Sequence, residues 1–321
     1  MGAFGLQTHI WNNNLKSILL LAGFPVLLVL LLFGLTGLYV GATQDFVSLA
    51  DGLAIALDQM RRIWPFALIA AGLWFLIASA FHQKLINATV GAKGLARKEA
   101  PDLYNMLENL SIANGMAMPK LNVIESPAMN AFASGMSDKT YTVTLTRGLI
   151  ENLSRDELEA VIAHELTHIR NRDVRLLVIA VIFVGIFSFV GELLFRATFN
   201  RGIRIGGHSR SSKGDSRGGG MLILIAVAAI LLAWLLAQVI RFALSQKREY
   251  LADAGSVQLT RNPDAMVSAL RRISGNSAIN APSGVQQMLL DHSPRFVGLF
   301  ATHPSIEKRV AALTKFAGGV A

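Results

Sequence analysis

The sequence predicts an α+β protein, mainly helical, that passes a membrane several times and carries a small β-sheet. Three observations lead there. Hydrophobic residues fill 52% of 321 positions and mean hydropathy is +0.45, both too high for an ordinary soluble enzyme. Four apolar runs of near-spanning length punctuate the chain, at about 18–40, 63–81, 176–195 and 221–240. Between the second and third lie short segments with strand patterning.

Residues 1–93 read as an N-terminal membrane region. The run Ile18–Val40 is long enough to cross at 1.5 Å per residue, and Lys16 alone precedes it, which favours an uncleaved anchor over a signal peptide. The stretch to Met60, with Asp45, Asp51 and Asp58, reads as a loop before the second run, Ile63–Phe81. Lys84, Lys93, Arg97 and Lys98 follow, so the side after residue 81 is expected to be cytoplasmic.

From residue 94 the chain reads as a catalytic domain interrupted by two further apolar helices. Pro101 opens a helix with Leu103, Leu107 and Leu110 on one face, closed by Gly115. PKLNVIE (119–125) and YTVTLT (141–146) read as strands, with a short extended piece at Asn130–Ala133 between them. Asn130, Ala131, Phe132 and Ala133 are either an edge that pairs with a substrate backbone or an ordinary strand and turn. The runs 176–195 and 221–240 flank a basic, Gly- and Ser-rich loop, 196–220. Two crossings would put this loop opposite the catalytic side, against the positive-inside tendency; a buried hairpin is the alternative, and four crossings are preferred because both runs are too apolar for water.

The chemistry centres on SRDELEAVIAHELTHIRNRD, 154–173. Ser154 with Glu157 forms a capping-box pattern, and Leu158, Val161, Ile162, Leu166 and Ile169 give the helix an apolar back. His164 and His168 then share one face and are spaced to hold one Zn2+ ion, with Glu165 beside its open position. In such a set zinc acidifies a bound water and the carboxylate takes its proton as the water attacks a carbonyl. The chain has no cysteine, so any remaining ligand is His, Asp or Glu.

A catalytic zinc site has three protein ligands. Glu249 and Asp253 are four residues apart in RFALSQKREYLADAGSVQLT, 241–260. Glu249 is assigned as the third ligand and Asp253 as the carboxylate that orients an imidazole, although their roles could be exchanged or Asp253 could pair with Arg248 or Arg261. Asn262 and Pro263 open a helix with Met266, Leu270 and Ile273 inward. His303, ahead of Pro304, is either an oxyanion donor or a cap, and Arg309 stands at the same corner as a candidate substrate contact. His9, His82, His208 and His292 have no supporting constellation and are expected at solvent or the membrane interface. The net charge of +9 lies around the apolar runs, which fits anionic membrane lipids and not nucleic acid.

HELTHIRNRD (164–173), SQKREYLADAG (245–255), SPAMNAFASG (126–135) and ATHPSIEKR (301–309) together resemble the HtpX-type membrane zinc metalloproteases, relatives of the integral-membrane prenyl-protein proteases. The resemblance implies a gluzincin-type, zincin-like site and an endopeptidase of the bacterial inner membrane with its active site toward the cytoplasm. It also implies a part in the stress response and in quality control of misfolded or damaged membrane proteins. Two other functions stand beside it: a membrane scaffold or transporter with structural zinc, and a protease that processes lipid-modified C-terminal peptides.

Overall fold

The computed structural model describes residues 6–182, 185, 189, 217–242, 246–279, 288–290 and 304–318. They form two compact units. One is built chiefly from Ser79–Val181 and Arg241–Ala321, the other from Ile18–Ala78 and Ile182–Ile240.

The second unit contains most of helix α1, Leu6–Thr43, most of α2, Leu49–Val90, and most of α7, Arg217–Phe242. Among the described residues three segments are long and apolar enough to cross a membrane: Ala22–Thr43, Leu49–Val90 and Gly219–Leu236. α1 meets α7 through glycines. A Cβ on Gly34 would stand 2.5 Å from Ile230, and one on Gly41 2.8 Å from Ile223, so the backbone approach requires residues without side chains. Of the expected third run only 176–182, 185 and 189 fall among the described residues, and of the basic loop only 217–220, which are the first turn of α7.

The expected loop before residue 60 is helix. Ser48 Oγ accepts from the Asp51 N–H at 3.2 Å, while the Asp51 carboxylate accepts from the Ser48 N–H at 3.0 Å. This reciprocal cap starts α2 fourteen residues before the apolar run, and Asp58 pairs with Arg62 one turn on, at 2.9 Å. At its other end α2 continues past Phe81 into the catalytic unit. There Gln83 Oε1 accepts from Ser134 Oγ at 2.9 Å and Asn87 Oδ1 from Asn122 Nδ2 at 3.1 Å. His82 is buried, with Nδ1 2.6 Å from the Ser79 carbonyl, not at solvent or the membrane interface as expected.

The catalytic unit packs helices against a four-stranded sheet of order β1-β2-β4-β3. The strands are β1, Lys93–Gly94; β2, Lys120–Ile124; β3, Ala131–Ser134; and β4, Thr142–Thr146. β2 and β4 run parallel, whereas β3 returns antiparallel on β4 with Ala131 opposite Leu145, which leaves β3 at an edge. Helix α3, Pro101–Ala113, buries Leu103, Leu107 and Leu110 as its spacing predicts. After it, Gly115 takes a φ of +64°, a conformation that favours glycine. β4 runs straight into α4, Arg147–Asn152, because the Thr146 side chain accepts from the Leu149 N–H.

α5, Arg155–Arg170, begins with the capping box that Ser154 and Glu157 predict. Val161, Ile162 and Leu166 are fully buried in the same core as Val143 and Leu145 of the sheet. The helix does not run directly into the next apolar segment. Arg172 adopts a φ of +59° and the chain restarts as α6 over 173–182. α8, Gln246–Thr260, lies against α5, where Ser256 Oγ donates to the Ala160 carbonyl at 2.6 Å. A Cβ on Gly255 would stand 2.4 Å from Thr167 Cγ2, so glycine sets how closely the two helices approach. α9, Pro263–Ile273, is capped by Asn262, and α10, Ile306–Gly318, completes the unit.

Candidate metal centre

α5 and α8 supply the site from two directions. His164 and His168 project one turn apart from α5, their rings 4.7 Å between centroids and at 85° to one another. Their Nε2 atoms lie 3.1 Å apart. Glu249 enters from the first turn of α8 and places Oε2 3.6 Å from His164 Nε2 and Oε1 3.6 Å from His168 Nε2. The ligand atoms of a tetrahedral zinc site with bonds of about 2.1 Å lie roughly 3.4 Å apart, so the three groups fit one such ion.

The other faces of the imidazoles decide what the site holds. His164 Nδ1 lies 2.9 Å from Asp253 Oδ1, and His168 Nδ1 lies 3.1 Å from Asp173 Oδ2. His168 Nδ1 is hydrogen-bonded to Asp173 and the Asp253 carboxylate stands against His164 Nδ1, which leaves each Nε2 facing its counterpart and Glu249. Acceptors converging in this way are satisfied by a cation. The same field acts on a proton: burial opposes charge on His164, but hydrogen bonds to Asp253 and Glu249 outweigh it and raise its pKa to about 9. A proton and a metal ion compete for this place.

Asp253 is kept ionised from behind. Burial pushes its carboxyl up, yet the Arg309 guanidinium and His164 hold it below the usual range. Arg309 forks onto it, Nε to Oδ2 at 2.9 Å and Nη2 to Oδ1 at 2.6 Å. Its side chain is 1% exposed, so Arg309 braces the site from inside and does not face substrate as expected. Arg261 and Arg248, the other partners considered for Asp253, give way to Arg309 because α10 brings its guanidinium into the buried space. Arg248 instead approaches the Asp173 carbonyl at 3.5 Å.

Glu165 is 2% exposed and lines a cavity with His164, His168, Glu249 and Ala133. Burial pushes its carboxyl up; the neighbouring histidines and an N–H from Ala133 pull the other way without reversing it. Asn130 is fully buried, its Nδ2 donating to the Ser277 carbonyl at 2.8 Å, so it shapes the start of β3. Phe132 is buried, as are Ala131 and Ala133, whose side chains belong to the core under the sheet's helices. His303 lies outside the described residues.

Asp173 is the group that sequence reasoning missed. The signal was its place at the end of HELTHIRNRD, but only the left-handed turn at Arg172 returns its carboxylate to His168. Asp173→Ala is expected to weaken zinc retention about 10- to 100-fold. Asp173→Asn should recover much of it, since an amide oxygen still accepts from Nδ1. Titration against a competing chelator measures both, and equal retention by wild type and Asp173→Ala would remove Asp173 from the site.

A buried and a half-buried imidazole, a carboxylate beside both and an adjacent carboxylate on an α+β unit, in a chain with apolar spans, define a metal-dependent peptidase of the membrane. The peptidase family M48 model matches residues 97–317. A protease HtpX homolog of Bacteroides fragilis is 41% identical over 97% of this chain and 99% of its own length. One from Listeria monocytogenes serotype 4a is 37% identical over 96% and 99%. The crystal structure of S. mikatae Ste24p aligns with a TM-score of 0.49 at 19% identity, covering 95% of this chain and 66% of that one. The chain belongs to peptidase family M48, among its HtpX proteases, and is a metalloendopeptidase.

Proposed function

We propose that this chain is a zinc endopeptidase that hydrolyses misfolded or damaged membrane proteins at the cytoplasmic face of a bacterial inner membrane. The observation that carries the reading is the convergence of His164, His168 and Glu249 on one point with Glu165 on the wall of the same cavity. Zinc held there supplies a Lewis acid that polarises a scissile carbonyl and makes water more acidic. Glu165 takes a proton from the attacking water and delivers it to the leaving amine. Asp253 and Asp173 hold the imidazoles in the ligating tautomer, with Arg309 keeping Asp253 charged. Ala131 and Ala133 bind an extended backbone from the edge of β3, and His303 is assigned as oxyanion donor on sequence alone.

Four crossings, with the catalytic unit on the side of Lys84, Lys93, Arg97 and Lys98, accord with the positive-inside tendency at the second span. The basic residues at the membrane surface attract anionic lipids. The test is cleavage by detergent-purified protein of an unfolded membrane polypeptide and, separately, of a prenylated C-terminal peptide. Cleavage of the first, abolished by a chelator and restored by zinc, is expected. Cleavage of the prenylated peptide alone would move the assignment to lipid-modified substrates, and zinc-loaded protein that cleaves neither would remove it.

A further inference from the structure

β3 is an edge strand whose free side is already engaged. Asn130 turns its carbonyl toward β4, where it accepts from the Thr146 N–H at 3.0 Å, so the backbone groups of Ala131 and Ala133 point the other way. These are the groups with which an extended substrate pairs. The Ala131 carbonyl accepts instead from the Leu290 N–H at 2.8 Å, and the Ala131 N–H donates to Asn130 Oδ1 at 2.9 Å. Leu290 is held from its other side as well, its carbonyl accepting from Arg309 Nη1 at 3.0 Å. Met288, Leu289 and Leu290 are 7%, 2% and 2% exposed and line the metal-site cavity beside Ala133, His164, Glu165, His168 and Glu249. What they leave open is about 20 Å³, room for roughly one water and not for a peptide backbone.

We propose that Met288–Leu290 stands in the place of the substrate strand, as a built-in competitor that a substrate must displace from Ala131. This rests on the peptidase reading above and names both the regulation of that site and the substrate chemistry it admits. The displacing segment must be extended, must offer an N–H to Ala131, and must refill the space of three bulky apolar side chains. A charged or small segment would leave that space desolvated and unfilled. Folded soluble chains do not present such a segment, whereas a misfolded membrane protein does. Because only molecules with the competitor displaced bind substrate, apparent affinity falls by the fraction that is open.

The test uses the full chain carrying Glu165→Gln, so that binding is read without turnover. A short fluorescein-labelled peptide with Met-Leu-Leu at its centre is compared with one carrying Ser-Gly-Ser there. The Met-Leu-Leu peptide is expected to bind and to strip hydrogen-exchange protection from the Leu290 amide, and the Ser-Gly-Ser peptide to do neither. Adding Leu290→Pro removes the N–H that occupies Ala131 and should tighten the Met-Leu-Leu peptide about three- to tenfold by anisotropy. Binding that leaves the Leu290 amide protected overturns the proposal even if the proline variant fails to fold. Failure to bind either peptide, or a proline variant that folds without tighter binding, overturns it too. Displacement without any turnover by the wild-type chain would sustain this proposal and remove the peptidase assignment instead.

Discussion

Glu165→Gln is expected to lower kcat about 10²- to 10⁴-fold while the protein keeps its zinc. Glutamine has the size of glutamate, so the cavity wall and the α5 helix are undisturbed. What disappears is the group that accepts a proton. Burial pushes the Glu165 carboxyl up from its ordinary value, which makes it a better base than an exposed carboxylate. Metal retention rests on His164, His168 and Glu249, none of which changes. Cleavage of the unfolded membrane polypeptide, beside metal content by atomic spectroscopy, reads both quantities. Turnover near wild type with zinc bound would end the assignment of Glu165 as base.

Glu249→Ala is expected to lower zinc affinity by more than about 100-fold and to take turnover with it, because it removes a ligand and not a group behind one. The variant also strips negative charge from a pocket that Arg309 enters, with Nη1 3.5 Å from Glu249 Oε2 in the native chain. That guanidinium then opposes the cation with less to offset it. The fold has independent supports, since Ser256 donates to Ala160 and Gly255 seats against Thr167 at the α5–α8 contact. Zinc affinity by chelator competition and the thermal transition are therefore expected to separate, the first falling steeply and the second slightly. Unchanged affinity would take Glu249 out of the ligand set.

The local parts of the site could be read without coordinates because each is a matter of helical spacing. Ser154 and Glu157 cap α5, His164 and His168 stand one turn apart, and Glu249 and Asp253 share a face of α8. Two shorter-range features were legible in principle and were not read. Ser48 and Asp51 form a reciprocal cap of the same kind as Ser154 and Glu157, and they lengthen α2 across the expected loop. Asp173 closes the motif string, but a non-glycine residue with positive φ is rarely foreseen from its neighbours, so the turn at Arg172 hid it.

By itself the sequence determined three of the apolar spans, the α+β character and the three groups that fit zinc, because composition and periods of 3.6 and 2 residues act within a few turns of chain. Tertiary structure decided everything that depends on which distant segments meet. It put Arg309 behind Asp253 instead of before a substrate, across 56 residues of chain. It also laid Leu290 along Ala131 at the free edge of β3. Buried charges and unpaired strand edges find partners wherever the fold supplies them, and no local pattern states which partner that is.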